Sequence, residues 1–292
     1  MHSLILILTA MIWGAAFVAQ SVGMDYLGPF TFNAARFFIG GLVLLPVIPL
    51  LDRLGGHAPD KGPAARRALV RGGLLCGLAL GAASTAQQFG VQYTTVGKAG
   101  FITALYIVLV PLLGAFVGRR PAGRIWGSVA LAVVGLYLLC MEGSFRLGLG
   151  DLLVLGCSVL FAVHILIIDR FSPLVDGVRL SCLQFFVAAA VSAVGMLAFE
   201  QPTLPALTAA WAPVLYAGVL SSGVGYTLQV VGQKGMDPTV ASLLLSLESV
   251  FSVLAGWVLL HQSMSGRELA GCALMFAGIL LAQLPARRTK TA

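Results

Sequence analysis

One stretch of this chain, Thr239 to Leu260, reads TVASLLLSLESVFSVLAGWVLL and contains a single charged residue, Glu248. A helix over these residues would be about 33 Å long, enough to cross the ~30 Å hydrocarbon core of a bilayer. Nine other stretches are comparably long and apolar, so we predict ten membrane-spanning helices. The predicted spans are Leu4–Val22, Phe30–Leu51, Gly72–Gln92, Ala99–Gly118, Ile125–Met141, Leu152–Ile168, Leu180–Phe199, Trp211–Val231, Thr239–Leu260 and Leu269–Leu284.

The composition agrees with an all-α integral membrane protein. Mean hydropathy is +0.96, apolar residues make up 59% of the chain, and charged residues only 10%. A soluble chain of this length needs more charge to cover its surface. The loops between ten spans leave no room for a soluble catalytic domain, and we do not expect an enzyme. The cysteines show no disulfide or metal-binding spacing, and no cofactor is expected.

Basic residues are unevenly distributed over the predicted loops. With the N-terminus placed in the cytoplasm, fourteen Lys and Arg residues lie on the cytoplasmic side, and three, Lys98, Arg146 and Arg267, lie on the other. Loops rich in Lys and Arg remain in the cytoplasm. We therefore predict that both termini are cytoplasmic and that the protein is a multi-pass protein of the bacterial inner membrane. The net charge of +7 reflects this topology and does not indicate nucleic-acid binding.

The chain contains an internal repeat. Asn33-Ala-Ala-Arg-Phe-Phe38 and Ser181-Cys-Leu-Gln-Phe-Phe186 end in Phe-Phe pairs that are 148 positions apart. At a spacing of 142, four further identities follow in the same order: Gln87 with Gln229, Gly90 with Gly232, Ala99 with Ala241, and Gly114 with Gly256. We predict two halves, residues 1–145 and 146–292, with five spans each. An odd number of spans inverts the second half relative to the first, an architecture that many secondary transporters share.

Short motifs in several spans resemble those of a known family. They are Ile12-Trp-Gly-Ala-Ala-Phe17, Pro29 with Arg36-Phe37, Gly97-Lys-Ala-Gly-Phe-Ile-Thr103, Val110-Pro-Leu-Leu113, Leu247-Glu248, Ala255-Gly-Trp257 and Gly271-Cys-Ala-Leu-Met-Phe-Ala-Gly278. On these motifs the chain resembles the EamA-type ten-span group of the drug/metabolite transporter superfamily. The resemblance covers nearly the whole chain. It implies transport of a small organic metabolite, with export as the more common direction.

Glu248 is the sharpest candidate for a functional residue. It lies about ten residues into the ninth span, or ~15 Å deep, close to the middle of the bilayer. A charged side chain there costs at least ~2.5–3.5 kcal/mol. Tyr106, which precedes Glu248 by 142 positions, lies about as deep in the fourth span. We predict that Glu248 binds a cationic part of a substrate, or a proton. The alternative is a structural acid paired with a neighbouring polar group.

Arg36 is the second intramembrane charge, about 10 Å into the second span. It could bind a substrate carboxylate or pair with an acid such as Glu248. It could equally extend its head group to the outer interface, since that depth is within reach of a long side chain.

Six uncharged residues complete the candidate site. Ser246 belongs to a serine-rich face of the ninth span, and Thr103 shares a face with Tyr106; such residues line wet cavities or let helices approach closely. Gln87 and Gln229 have mirror-related positions and suit gates or inter-helix hydrogen bonds. Trp13 and Tyr226 could present aromatic faces to an organic cation, or serve as core residues.

Glycines also recur at every fourth position of the third span, at Gly73, Gly77 and Gly81. This pattern predicts close packing against another helix and requires no ligand.

Three functions remain open from the sequence. The first is a secondary transporter that moves an amino acid or a related amine by alternating access around a midplane cavity, with protons as a candidate coupling ion. The second is a non-transporting scaffold or a component of a lipid-flipping assembly. The third is an intramembrane enzyme, for which His164 and Asp169 form a weak His-x4-Asp pattern. The expected partners are a small-molecule substrate and the lipid bilayer, and either a monomer or a homodimer fits.

Overall fold

The computed structural model describes residues 2–55, 62–94, 96–116, 118, 122–141, 148–260 and 265–284, with the backbone alone at 55, 96, 97 and 255–260. These ranges contain helices and no strand. In chain order the helices are α1 (His2–Gly23), α2 (Pro29–Gly55), α3 (Pro63–Val91), α4 (Val96–Ala104), α5 (Tyr106–Phe116), α6 (Gly123–Cys140), α7 (Leu149–Phe171), α8 (Gly177–Phe199), α9 (Leu204–Ala209), α10 (Trp211–Leu215), π1 (Tyr216–Tyr226), α11 (Thr227–Gln233), α12 (Pro238–Leu245), α13 (Leu247–Leu260) and α14 (Gly266–Gln283).

Eight helical stretches of the described chain are long and apolar enough to cross a membrane, when α4–α5 and α10–α11 each count as one. They correspond to the first eight predicted spans. The predicted ninth and tenth spans are α12–α13 and α14, and their crossing remains a prediction, as does the orientation of the chain. The motif residues Gly97 and Ala255–Trp257 and the C-terminal residues 285–292 fall outside the described side chains or residues.

The predicted fourth and ninth spans each contain an interruption, which the sequence analysis did not anticipate. The fourth is interrupted at Leu105, whose N–H donates to the carbonyl of Ile102, three residues back, across 3.2 Å. The ninth is interrupted at Ser246, whose hydroxyl donates to the carbonyl of Leu243 across 2.8 Å. Serine hydroxyls that bond back to the preceding turn bend helices. Each span therefore has a one-residue helix break near its middle, next to Tyr106 and close to Glu248, with the chain helical on both sides.

The predicted eighth span contains eleven residues of π-helix, Tyr216–Tyr226, between two α-helical segments. Such wide turns are rare and are found often at functional sites. Three glycines, Gly218, Gly223 and Gly225, lie in this segment and let it approach α1 and α2 closely; a Cβ at Gly225 would lie 2.7 Å from Nε1 of Trp13. The wide turn ends at Tyr226, a predicted site residue.

Helices α2 and α8 pack antiparallel along the middle of the molecule. Phe37 stacks on Phe185 with ring centroids 6.4 Å apart, and Phe38 meets Phe186 edge-on at 6.2 Å. In each pair the residues are 148 positions apart, so the two Phe-Phe motifs meet one another.

Each end of this helix pair is fastened by a carboxylate. Glu200, just after α8, accepts hydrogen bonds from the backbone N–H groups of Phe30 and Thr31 at the start of α2, at 2.9 and 2.8 Å. At the opposite end, Asp52 of α2 accepts from the guanidinium of Arg179 in the first turn of α8 at 2.6 Å. The two contacts fix the antiparallel alignment from both ends.

The glycine pattern of α3 packs against α8, as predicted. A Cβ at Gly73 would lie 2.4 Å from the side chain of Leu183, and one at Gly77 would lie 2.5 Å from Val187. These glycines draw α3 against α8, and together the two helices help to enclose the interior where the predicted site residues lie.

Candidate functional site

A cavity in the centre of the described molecule brings together residues from seven of the predicted spans. Of the nine residues singled out from the sequence, eight line it: Trp13, Arg36, Gln87, Thr103, Tyr106, Tyr226, Gln229 and Glu248. Apart from the partly exposed Trp13, these side chains are buried, and the most exposed of them is 6% accessible.

The cavity is narrow in this conformation. The space in which a water molecule can be centred amounts to about 30 Å³. Since one buried water needs roughly 10–15 Å³ by this measure, the space suits about two waters. An organic metabolite would fit only after the surrounding helices move apart.

The two polar residues beside the helix breaks contact one another. The hydroxyl of Tyr106, the first residue of α5, donates to Oε1 of Glu248, the second residue of α13, at 3.1 Å. Their side chains are 3% and 5% exposed. Broken helices that present polar groups at mid-membrane are typical of substrate sites in transporters with inverted repeats. Glu248 keeps further acceptor positions beyond the one that Tyr106 uses.

Arg36 is buried at 1% exposure, which excludes the extended arrangement at the membrane interface. Its NH1 group donates to Oε1 of Gln20 at 3.3 Å, while Nε and NH2 have no partner among the described residues. The guanidinium carbon lies 4.5 Å from the ring centre of Phe37, a cation–π contact. The expected direct pairing with Glu248 is not formed. Arg36 therefore brings two unused donors to the cavity.

Aromatic rings form another wall. Trp13 and Tyr226 pack with ring centroids 4.5 Å apart, and Nε1 of Trp13 donates to the carbonyl of Ser221 in π1 at 3.2 Å. The Tyr226 ring also contacts Phe37 and Phe185 at 6.4 and 6.3 Å. Tyr226 thus links the cavity to the core of the α2–α8 pair.

The remaining predicted residues differ in their arrangement. Gln87 donates to Thr103 at 3.2 Å across α3 and α4, and Gln229 has a buried Oε1 without a partner in the described chain. Ser246 is fully buried but does not line the cavity, because its hydroxyl is used within its own helix.

Several lining residues were not singled out from the sequence. Gln20, which holds Arg36, is among them, and so are Phe17, Phe161 and Ser221. At the repeat spacing of 148, Phe161 corresponds to Trp13, a predicted site residue, and this relation could have identified it. No cluster of three or more potential metal ligands occurs in the described ranges.

Comparison with known proteins agrees with this architecture. The model of the EamA-like transporter family matches residues 1–141 and 148–284. The chain belongs to the EamA-like transporter family. As an EamA-family protein it is a multi-pass membrane transporter of small metabolites, and neither the family nor the relatives below indicate catalysis.

Two curated relatives and one solved structure illustrate the similarity. A protein named as an uncharacterized transporter of Archaeoglobus fulgidus is 29% identical over 280 residues, which cover 96% of this chain and 84% of that protein. The threonine/homoserine exporter RhtA of Salmonella typhimurium is 27% identical over 216 residues, covering 70% and 69%. A protein crystal structure superposes on this EamA-family chain with a TM-score of 0.79 at 23% identity, and the match covers 99% of both chains. This last similarity shows a shared fold.

Proposed function

We propose that this protein is a secondary active transporter that exports an α-amino acid by alternating access. One observation carries the proposal: a basic and an acidic side chain, Arg36 and Glu248, line the same buried cavity without pairing with each other. An α-amino acid at neutral pH has one carboxylate and one ammonium group. The relative named as a threonine/homoserine exporter supports this substrate class.

The carboxylate of the amino acid binds Arg36. The unpartnered Nε and NH2 groups of this guanidinium can donate to one carboxylate at the same time, which is the geometry that arginine favours. Leaving such donors buried and unsatisfied costs about 1–3 kcal/mol, more for charged groups. A bound carboxylate accepts from both donors and removes that cost.

The ammonium group binds Glu248, and the side chain of the substrate lies against Trp13 and Tyr226. Tyr106 occupies one acceptor position of the carboxylate and holds its orientation, while the others remain for the ammonium group. The aromatic wall accommodates an apolar or methyl-bearing side chain. Glu248 is also the candidate for a coupling proton, which would compete with the ammonium group for the same carboxylate.

Alternating access requires two halves that move relative to one another. The helix breaks beside Tyr106 and near Glu248, the antiparallel α2–α8 pair and the double match of the family model support two inverted halves, 1–145 and 146–292. We extend this to ten spans with cytoplasmic termini in a bacterial inner membrane. The narrow cavity fits a state closed around the site, which must open to load an amino acid.

The test is uptake of radiolabelled L-amino acids into proteoliposomes, with and without an imposed pH gradient. Wild type should accumulate at least one of them, and Glu248→Gln and Arg36→Gln should each reduce its uptake by about 30-fold or more, because each loses a charge-assisted contact of ~2 kcal/mol or more. The amide and the decarboxylated amine of the best substrate should compete poorly. Asp25→Asn, at an exposed position, is the control.

Two results would count against the proposal. If wild-type proteoliposomes accumulate no amino acid, while the protein still acts as a scaffold in cells, the proposed transport function is wrong. If uptake occurs but both folded variants retain it, the cavity is not the binding site. Monodispersity on size-exclusion chromatography separates loss of contact from loss of fold.

A further inference from the structure

A second buried polar pair lies near the cavity but does not line it. Nε2 of His164 in α7 lies 3.0 Å from Oε1 of Gln184 in α8, and both residues are fully buried. An amide oxygen can only accept, so the imidazole donates through Nε2. This arrangement holds the amide of Gln184 with its Nε2 group facing away from His164. That Nε2 group has no partner in the described part of the chain.

Within this pair, Gln184 is the counterpart of Arg36 at the spacing of 148. Arg36 follows Pro29, the first residue of α2, by seven positions, and Gln184 follows Gly177, the first residue of α8, by the same number. Because α2 and α8 are antiparallel, the two residues lie ~10 Å from opposite ends of the pair. They are 148 positions apart, the spacing of the Phe-Phe motifs that follow them directly.

The partners of these two residues lie on the preceding helix of each half, one helical turn out of register: at the spacing of 148, Gln20 corresponds to Ile168 and His164 to Ala16. Gln20 on α1 holds Arg36, and His164 on α7 holds Gln184. They are 144 positions apart, and each follows a cavity-lining phenylalanine, Phe17 or Phe161, by three positions. In both places a side chain on the preceding helix fixes the orientation of Arg36 or Gln184: Gln20 accepts from Arg36, and His164 donates to Gln184.

At both positions, N–H donors remain without an acceptor in the described part of the chain. Arg36 offers Nε and NH2, and Gln184 offers Nε2. A buried donor without a partner is unfavourable, and a ligand that accepts from it removes that cost. The group that satisfies such donors in an amino acid is the carboxylate.

We propose that Gln184, positioned by His164, is a second binding station for the carboxylate of the substrate, used when the cavity faces the side of the membrane opposite to Arg36. This inference rests on the proposed function. Gln184 makes the contact, and His164 acts only through Gln184. The substrate would pass between the two stations as the halves exchange positions.

Tyr226 separates the two stations in this conformation. Its ring lies 4.5 Å from Trp13 on the cavity side and 6.2 Å, edge to face, from His164 on the other. It is the last residue of the π-helical segment, and an α-helical turn there would carry it to a different face of the helix. A change in winding of this segment would connect the cavity with Gln184.

The test measures half-saturation separately on each side of the membrane. Labelled L-threonine and L-phenylalanine are exchanged against a saturating trans concentration of the same amino acid, in right-side-out and inside-out membrane vesicles. Gln184→Met removes the donor while retaining a side chain of similar length. It should raise the half-saturation concentration about 10- to 100-fold on one side and less than twofold on the other. Arg36→Gln should show the opposite preference.

His164 is tested by a loss and a conservative replacement. His164→Leu should reproduce the one-sided defect of Gln184→Met. His164→Gln retains a donor for the amide of Gln184 and matches the residue at position 20, so it should stay within about threefold of wild type on both sides. Ser192→Ala, at another buried position of α8, serves as the control for packing.

Equal effects of Gln184→Met on both sides, or none on either, would overturn the second station while leaving the proposed function intact. If Gln184→Met does not fold, His164→Leu against His164→Gln decides by the same two-sided comparison. Wild-type vesicles that exchange neither these nor any other L-amino acid would instead remove the proposed function, and this inference with it.

Discussion

The hydroxyl of Tyr106 and the carboxylate of Glu248 are joined by a 3.1 Å hydrogen bond, although the two residues are 142 positions apart. Each stands at the start of the second segment of a broken helix. This hydrogen bond links the two helix breaks, so we expect a structural change at one of them to affect the other.

Replacing Tyr106 with Phe removes this donor and changes little else. A hydrogen bond to a charged group contributes about 1.5–3 kcal/mol, so we expect the half-saturation concentration of the transported amino acid to rise roughly 10- to 100-fold. Counterflow in proteoliposomes measures this half-saturation concentration. Tyr137→Phe, at a position that is 42% exposed, should leave the concentration unchanged. An unchanged value in Tyr106→Phe would mean that Glu248 needs no orienting partner.

Glu200→Ala should destabilise the protein more than Asp52→Asn does. Glu200 satisfies two backbone N–H groups of α2, and Thr31 donates to it as well at 2.6 Å. We expect a loss of about 2–3 kcal/mol. The Asp52–Arg179 pair is partly exposed, at 37% and 23%, and should contribute at most about 1 kcal/mol. Thermal unfolding in detergent shows which of the two variants loses more stability. Equal losses would contradict the prediction.

Gly77→Ala and Gly81→Ala form a matched pair on one helix face. A Cβ at Gly77 would meet Val187 at 2.5 Å and the carbonyl of Gln184 at 2.7 Å, whereas one at Gly81 would have its nearest neighbour, Ala188, at 3.4 Å. Overpacking of this kind costs about 1–3 kcal/mol. We therefore expect a clearly lower unfolding temperature for Gly77→Ala and a near wild-type value for Gly81→Ala. Similar values for both would show that α3 can shift away from α8.

Ser246→Ala tests whether the break in the ninth predicted span serves transport. Without the hydroxyl that bonds to the carbonyl of Leu243, the continuous helix becomes more favourable. We expect the maximal transport rate to fall several-fold while half-saturation stays within twofold, because Ser246 does not line the cavity. Ser252→Ala, further along α13, is the control. A rate equal to wild type would assign the break to packing alone.

Much of the interior was predictable because the bilayer imposes strong constraints on sequence. A charge inside an apolar stretch stands out, and Glu248 and Arg36 were found in this way. Tyr106, Gln87 and Gln229 were found through the repeat spacing. These side chains group around one cavity because the spans pack against each other. In the sequence, only the repeat spacings indicate this packing.

Other features could not be predicted from the sequence, for physical reasons. The breaks at Leu105 and Ser246 depend on single hydrogen bonds that turn patterns do not reveal, and the π-helical winding before Tyr226 has no distinct hydrophobic period. Ser246 was assigned to a cavity wall because its helix face is polar, but its hydroxyl is used internally. The inversion of the halves, the domain boundary and the roles of the site residues remain predictions.

The contact between Glu200 and Phe30 also constrains how the chain is made. The carboxylate that completes the first turn of α2 is 170 residues further along the chain. At a synthesis rate of about 5–20 residues per second, the N–H groups at the start of α2 wait roughly 10–35 s for their partner. A chain that ended before Glu200 would leave the N–H groups of Phe30 and Thr31, at the start of α2, without this acceptor. The first turn of α2 is therefore completed only after residue 200 has been synthesised.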